Sequence, residues 1–205
     1  MVNTTPETID ALTQAVIQKL FVPIEASGRH VHLTQAQAKT LFGHDLTPER
    51  PLSQPGQYLC KERVQVKGPK GTLENVAVLG PARKEAQVEI SLTDSRVLGL
   101  KIPVRLSGST EGSPGAVLVG EIGEVSLSRG VIAAQRHIHL TPGDACKFGV
   151  TDGQSVSLQT FTHRPVVFGE VIVRISPKFQ SAVHLDYDEA NACGFQNGDF
   201  GRILP

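Results

Sequence analysis

The chain has no tryptophan, one methionine and two tyrosines in 205 residues, yet at 40% hydrophobic it has enough apolar content for a core in one large or two small domains. Its formal net charge is zero. No basic stripe argues for a nucleic-acid partner, and no acidic run argues for a solvated tail. The three cysteines, Cys60, Cys146 and Cys193, are odd in number and widely spaced, with no Cys-x-x-Cys pair. That spacing indicates neither a disulfide frame nor a thiolate zinc site and fits a reducing cytosol. Cys146 and Cys193 fall in short predicted helices, where a small buried hydrophobe is the expected role. No apolar run is long enough to span a membrane, and no basic segment followed by an apolar one marks export, so a cytoplasmic protein with no membrane partner is expected. The Gly-Lys-Ser/Thr ending of a P-loop is also missing from the small-residue stretch Ser107 to Gly115. That stretch reads as a connector, with admission of a ligand's phosphates as the alternative.

What the chain does have is a repeat. Arg29-His30-Val31-His32-Leu33-Thr34 returns as Arg136-His137-Ile138-His139-Leu140-Thr141. In an extended strand alternate side chains share a face, so His30 and His32 aim two imidazoles at one target, as do His137 and His139. Each run then meets a helix start. Thr34 with Gln37 forms a capping-box pattern; Thr141 is followed by Pro142 and Asp144. Gly43 and Gly149 stop the two helices. A degenerate third copy, Val183-His184-Leu185-Asp186, has Glu189 as capping partner, Gly194 as stop and Ala182 where the first histidine would stand. A single His-x-His is more simply a surface strand. The repetition favours metal ligation, imidazole being the commonest metal ligand.

Residues 4–20 read as an amphipathic helix, with Thr5 as cap, Pro6 at the first helical position, and Ile9, Leu12, Val16 and Leu20 on one face. It either rests on its own domain or docks into a groove on another protein. The middle of the chain alternates short strands with Gly and Pro. Val64–Lys67 and Leu73–Leu79 flank Gly68 to Gly71 as a hairpin, and further strands are predicted at 87–91, 102–106, 116–119, 124–127, 131–139, 155–161, 166–175 with a bulge at Gly169, 181–185 and 201–204. The predicted class is mainly β with short helices, in barrels. Glu89 lies on the polar face of its strand and by default is a surface carboxylate; five imidazoles oversupply one tetrahedral zinc, and a carboxylate would complete a second site. Arg83, after a Gly-Pro turn, has the guanidinium fork that grips phosphate. His44 and His163 lie outside the repeat and read as surface residues.

Taken together, the two Arg-His-x-His runs, Gln54-Pro55-Gly56-Gln57-Tyr58, Leu79-Gly80-Pro81-x-Arg83, Gln87-Val88-Glu89-Ile90-Ser91, Ala134-Gln135 and Asp188-Glu189-Ala190-Asn191-Ala192 resemble the PduL-type phosphotransacylases, also called phosphate propanoyltransferases. The resemblance runs from about Pro23 to the C-terminus. It implies transfer of a short acyl group, propanoyl or acetyl, between coenzyme A and inorganic phosphate at a dinuclear zinc site between two β-barrels. The barrels implied are residues 21–47 with 131–205, and residues 48–130, an arrangement that brings the two His-x-His strands together. The resemblance assigns His30, His32 and Glu89 to one ion, His137, His139 and His184 to the other, and Arg83 to phosphate. Ser27-Gly28 departs from the family's common Ser-Asn but leaves every ligand in place. The family's N-terminal amphipathic peptide implies that residues 1–20 address shell or cargo proteins of a bacterial microcompartment, with the lumen as location and propanediol degradation as setting; a homo-oligomer is compatible with all of this.

Two other readings use the same residues. A dinuclear metallohydrolase would free the acid from acyl-CoA without phosphate, whereas a non-catalytic zinc-stabilised module would melt with its metal and turn nothing over.

Overall fold

The computed structural model describes residues 5–204; residues 1–4 of the expected N-terminal segment and residue 205 lie outside them. The chain begins with α1 (Pro6–Leu20), β1 (Val22–Ser27), β2 (His30–His32), α2 (Gln35–Phe42) and β3 (Pro48–Pro51). The hairpin of β4 (Tyr58–Lys67) and β5 (Thr72–Gly80) leads to β6 (Gln87–Glu89) and α3 (Leu92–Leu98). Three short strands, β7 (Val104–Arg105), β8 (Val117–Val119) and β9 (Glu124–Ser126), precede β10 (Val131–Ala134), β11 (His137–Leu140) and α4 (Pro142–Phe148). The chain ends with β12 (Ser155–Phe161), β13 (Val167–Ile175), β14 (Ala182–Asp186), α5 (Tyr187–Cys193) and β15 (Phe200–Leu204). It is mainly β with short helices, as expected, and it divides into two compact units.

One unit comprises Met1–Ala26, Arg136–Leu185 and Ala190–Pro205. Its strands close into a six-stranded barrel in the order β1-β14-β11-β13-β12-β15. Alternation explains the closure: Val156, Leu158 and Thr160 of β12 are buried while their neighbours are not. Ile138, Leu140, Val173, Val183 and Leu185 fill the same core, and burying each side chain fully is worth about 1.5–3 kcal/mol. The bulge expected at Gly169 lies between the pairs Val156–Val171 and Leu158–Phe168, but the left-handed residue there is Glu170, at φ 52°.

The other unit comprises Ser27–Gln135 and Asp186–Glu189. It is a half-barrel of nine strands in the order β7-β10-β6-β2-β5-β4-β8-β9, with β3 paired to β4. Val31, Val78, Val88, Leu118 and Val131 are wholly buried in its core. In the expected hairpin Gly68 N–H donates to the Gly71 carbonyl at 2.9 Å. A Cβ on Gly68 would lie 2.3 Å from the Leu98 carbonyl oxygen, so only glycine lets the turn meet the end of α3.

Two expectations are corrected by this arrangement. Residues 27–47 go with the centre of the chain and not with the closed barrel, because β2 pairs parallel to β5 and antiparallel to β6. The predicted strand 131–139 is two strands: β10 pairs with β6 and β7, whereas β11 pairs with β13 and β14. At the break Gln135 N–H donates to the Arg105 carbonyl, and the Arg136 carbonyl accepts from Ile172. The chain changes sheets between those two residues. Cys193 is buried as expected but Cys146 is exposed, on the outer side of α4.

Candidate metal centre

Each His-x-His strand sits between one parallel and one antiparallel neighbour, and the antiparallel register decides what faces its imidazoles. In one unit His30 lies opposite Glu89, and His32 opposite Gln87. In the other His137 lies opposite His184, and His139 opposite Ala182. Residues directly opposite in an antiparallel pair share a face, with Cβ atoms about 4.5–5.5 Å apart. Two rungs of each pair therefore deliver three ligands, and the ligand atoms within each group lie no more than 4.8 Å from one another.

The strand ends are held by the caps the sequence announces. Thr34 Oγ1 accepts from Gln37 N–H at 3.2 Å while the Gln37 side chain accepts from Thr34 N–H at 2.9 Å. Thr141 Oγ1 accepts from Asp144 N–H at 3.1 Å, and Asp186 and Glu189 cap one another's backbone N–H groups. The structure holds a fourth copy of the device. Ser91 caps α3 by accepting from Asp94 N–H at 3.1 Å, and Gly99 ends the helix at φ 73°. Glu89 thus stands two residues before its cap, as His32, His139 and His184 do before theirs. Its signal in the sequence is Ser91-x-x-Asp94 followed by Gly99. Far from being a surface carboxylate, Glu89 is only 7% exposed.

In the first group Glu89 Oε1 lies 3.6 Å from His30 Nε2 and 3.7 Å from His32 Nε2. Ligands held at about 2.0–2.1 Å by a tetrahedral ion stand about 3.3 Å apart, so a small contraction would suit zinc. His30 Nδ1 is 2.8 Å from the Gly28 carbonyl; donation there selects the tautomer whose Nε2 is a bare ligand. Gly28 supplies this contact through its backbone, and the Tyr187 hydroxyl lies 2.5 Å from where a Cβ on residue 28 would start. Burial lowers the His32 pKa to about 3, reinforced by the positive charges of His30 and Arg83. For His30 burial acts in the same sense, but the Glu89 charge outweighs it and raises the pKa. Glu89 resists the burial penalty because His30, His32 and a hydrogen bond from Ser107 hold it well below the usual carboxylate range. The group is a fixed anion between two imidazoles.

In the second group the ring centroids of His137 lie 4.7 Å from His139 and 5.0 Å from His184. The His139 ring stacks on Phe179 at 4.1 Å, and neither of its buried nitrogens has a hydrogen-bond partner. An unsatisfied buried polar group costs about 1–3 kcal/mol, which a coordinating cation would offset. Burial, then His137 and Arg174, push its pKa down to about 3, so it stays neutral and able to ligate. Glu25 Oε2 lies 3.7 Å from His184 Nδ1. Both donor sets, two imidazoles with a carboxylate and three imidazoles, fit zinc with three protein ligands and one coordination position left over.

Arg83 is half-buried beside the first group. Its backbone N–H donates to the Leu33 carbonyl at 2.8 Å, its Nη1 donates to Ser107 Oγ at 3.3 Å, and its charge is felt by His30 and His32. His44 and His163 are exposed. The residues that sequence reasoning passed over are Gln87 and Ser107, which contact Glu89 directly. Gln87 could have been found from its strand; nothing in a small-residue loop singles out Ser107.

A sequence profile for phosphate propanoyltransferase matches residues 23–196. The chain is 54% identical over 183 residues to a phosphate propanoyltransferase of Enterococcus faecalis, covering 88% of this chain and 87% of that protein. It is 48% identical over 206 residues to a protein of the same name from Clostridioides difficile, covering 100% and 99%. A third, from Thermotoga maritima, is 48% identical over 184 residues, 88% of each chain.

Proposed function

The chain belongs to the phosphate propanoyltransferase family, and from that premise we propose that it moves a propanoyl group between coenzyme A and inorganic phosphate, with two zinc ions held one in each histidine group. The observation that carries the metal part of this reading is the shared register of the two groups, each of which offers three buried or nearly buried donors on one sheet face.

Zinc bound by His30, His32 and Glu89, and by His137, His139 and His184, would supply Lewis acidity and neutralise developing negative charge. The chain's own residues do the rest. The Gly28 carbonyl fixes the His30 tautomer, Phe179 fixes the plane of His139, and the caps keep each ligand strand from fraying. Arg83 binds phosphate by a charge-assisted fork and holds it for attack. A phosphate oxygen then bonds to the thioester carbonyl carbon, the carbon–sulfur bond breaks, and its electron pair leaves on the sulfur of coenzyme A. No covalent enzyme intermediate is needed, and neither group contains a cysteine.

The test is release of free coenzyme A from acetyl- and propanoyl-CoA, with and without phosphate, on protein of measured metal content. Release should require phosphate and yield acyl phosphate. Equal release without phosphate, with free acid as product, would establish a thioester hydrolase instead.

The helix α1 supports a placement as well. Ile9, Leu12, Val16 and Leu20 form one apolar face, and each is more than half exposed. No helix of the described chain is long and apolar enough to cross a membrane. We assign this face to docking on shell or cargo proteins of a bacterial microcompartment, which puts the enzyme in the lumen. Leu12→Asp should abolish co-purification with the compartment and leave turnover unchanged; retention of the variant inside compartments would remove the assignment.

A further inference from the structure

Ser107 opens the loop after β7, and its one hydroxyl has three partners. Its Oγ donates to Glu89 Oε1 at 2.7 Å, accepts from Gln87 Nε2 at 2.9 Å and accepts from Arg83 Nη1 at 3.3 Å. A hydroxyl has one proton and two lone pairs, so these partners use it completely. Gln87 Nε2 also donates to Glu89 Oε1, and the Gln87 amide oxygen accepts from Gly108 N–H at 2.8 Å. That backbone contact fixes which way round the Gln87 amide lies. With Gln87 and the guanidinium both acting as donors, the serine proton has a single destination, the Glu89 carboxylate.

We propose that Ser107 is a positioning residue that ties the phosphate-binding guanidinium of Arg83 to the metal-binding carboxylate of Glu89. The proposal rests on the reading of the previous section. The carboxylate and the guanidinium are joined through one oxygen atom, and Gln87, on the rung opposite His32, locks that oxygen to the sheet. Removing the hydroxyl takes a donor from a ligand carboxylate, a change that typically costs ten- to a hundredfold in metal affinity, and it also takes an acceptor from the arginine head group. One substitution should therefore disturb two bindings that a purely structural serine would leave alone.

Zinc uptake of wild type, Ser107→Ala and Ser107→Thr is measured in buffered free-zinc series with elemental analysis, alongside separate KM values for phosphate and propanoyl-CoA and a melting curve. Wild type should take up two ions per chain. In Ser107→Ala one of the two uptake steps should weaken by roughly ten- to a hundredfold while the other stays, and KM for phosphate should rise with KM for propanoyl-CoA little changed. Threonine keeps the hydroxyl and should restore both. If Ser107→Ala fails to fold, Ser107→Cys replaces it, since a thiol fills the space but donates weakly, and the same two losses are expected. Wild-type zinc affinity and phosphate KM in the folded Ala or Cys variant overturn the proposal. So does a threonine variant as impaired as alanine. A wild type that takes up no zinc overturns the metal reading itself, which separates that failure from failure of the Ser107 assignment.

Discussion

Exhaustive chelation should abolish propanoyl transfer and lower the melting temperature in the same step. Each donor group joins strands that are far apart in the chain: β2 to β6 in one unit, β11 to β14 in the other. An ion that binds only the folded chain stabilises it by about 4 kcal/mol when present at a thousand times its dissociation constant. For a chain of this size each kcal/mol is worth about 2–4 °C, so loss of one ion should lower the melting temperature by about 8–16 °C. Readdition of zinc should reverse both effects. His184→Ala refines the expectation, because His184 belongs only to the group with His137 and His139. It should reduce the metal content from two ions to one, with the ion at His30, His32 and Glu89 kept. Full activity in protein that elemental analysis finds free of metal would refute the assignment, and two fully occupied sites in a crystal of His184→Ala would refute the ligand sets.

Arg83→Lys should cut catalytic efficiency towards phosphate by roughly thirty- to two-hundredfold, the equivalent of about 2–3 kcal/mol for one charge-assisted contact. Lysine keeps the charge but presents a point donor in place of a planar fork, and it reaches neither phosphate nor Ser107 Oγ with guanidinium geometry. The backbone contact of residue 83 to the Leu33 carbonyl survives the substitution, so the turn that carries it should hold. Zinc content and melting temperature should stay near wild type, and KM for propanoyl-CoA should change little. An unfolded variant, or equal losses towards phosphate and coenzyme A, would show that Arg83 serves the fold or the coenzyme.

The sequence made the candidate ligands legible because a period-two strand pattern and a helix cap are local events, and these occur at matching spacing. His30, His32, His137, His139 and His184 all stand where their repeats place them, with Thr34, Thr141 and Asp186 capping as their side chains suggest. Strand partnership is not local. His30, Val31 and His32 are all buried, so nothing in the run distinguishes a neighbour in the centre of the chain from one in the C-terminal half, and the unit boundary at Ser27 is not legible there. Glu89 was harder to weigh than the histidines because a carboxylate on an alternating strand is ordinarily solvent-facing. Its burial follows from β2 and β10, which flank β6 on either side and are distant from it in sequence. Ser107 has no period and no cap to announce it, only a position in space.

The matching registers also bear on how such a site is inherited. A ligand set confined to one strand pair, each strand running into its own capped helix, can be copied whole. Duplicating the whole span that holds such a pair, as residues 30–89 do, would give the daughter a complete set at once, with no intermediate that acquires its ligands one by one. Divergence is then confined to the rungs on the partner strand. One copy has Glu89 and Gln87, the other His184 and Ala182. The first rung would tune the charge that the copy presents to a cation, and the second is open to a neighbour, as Gln87 bonds to Ser107 and Gly108.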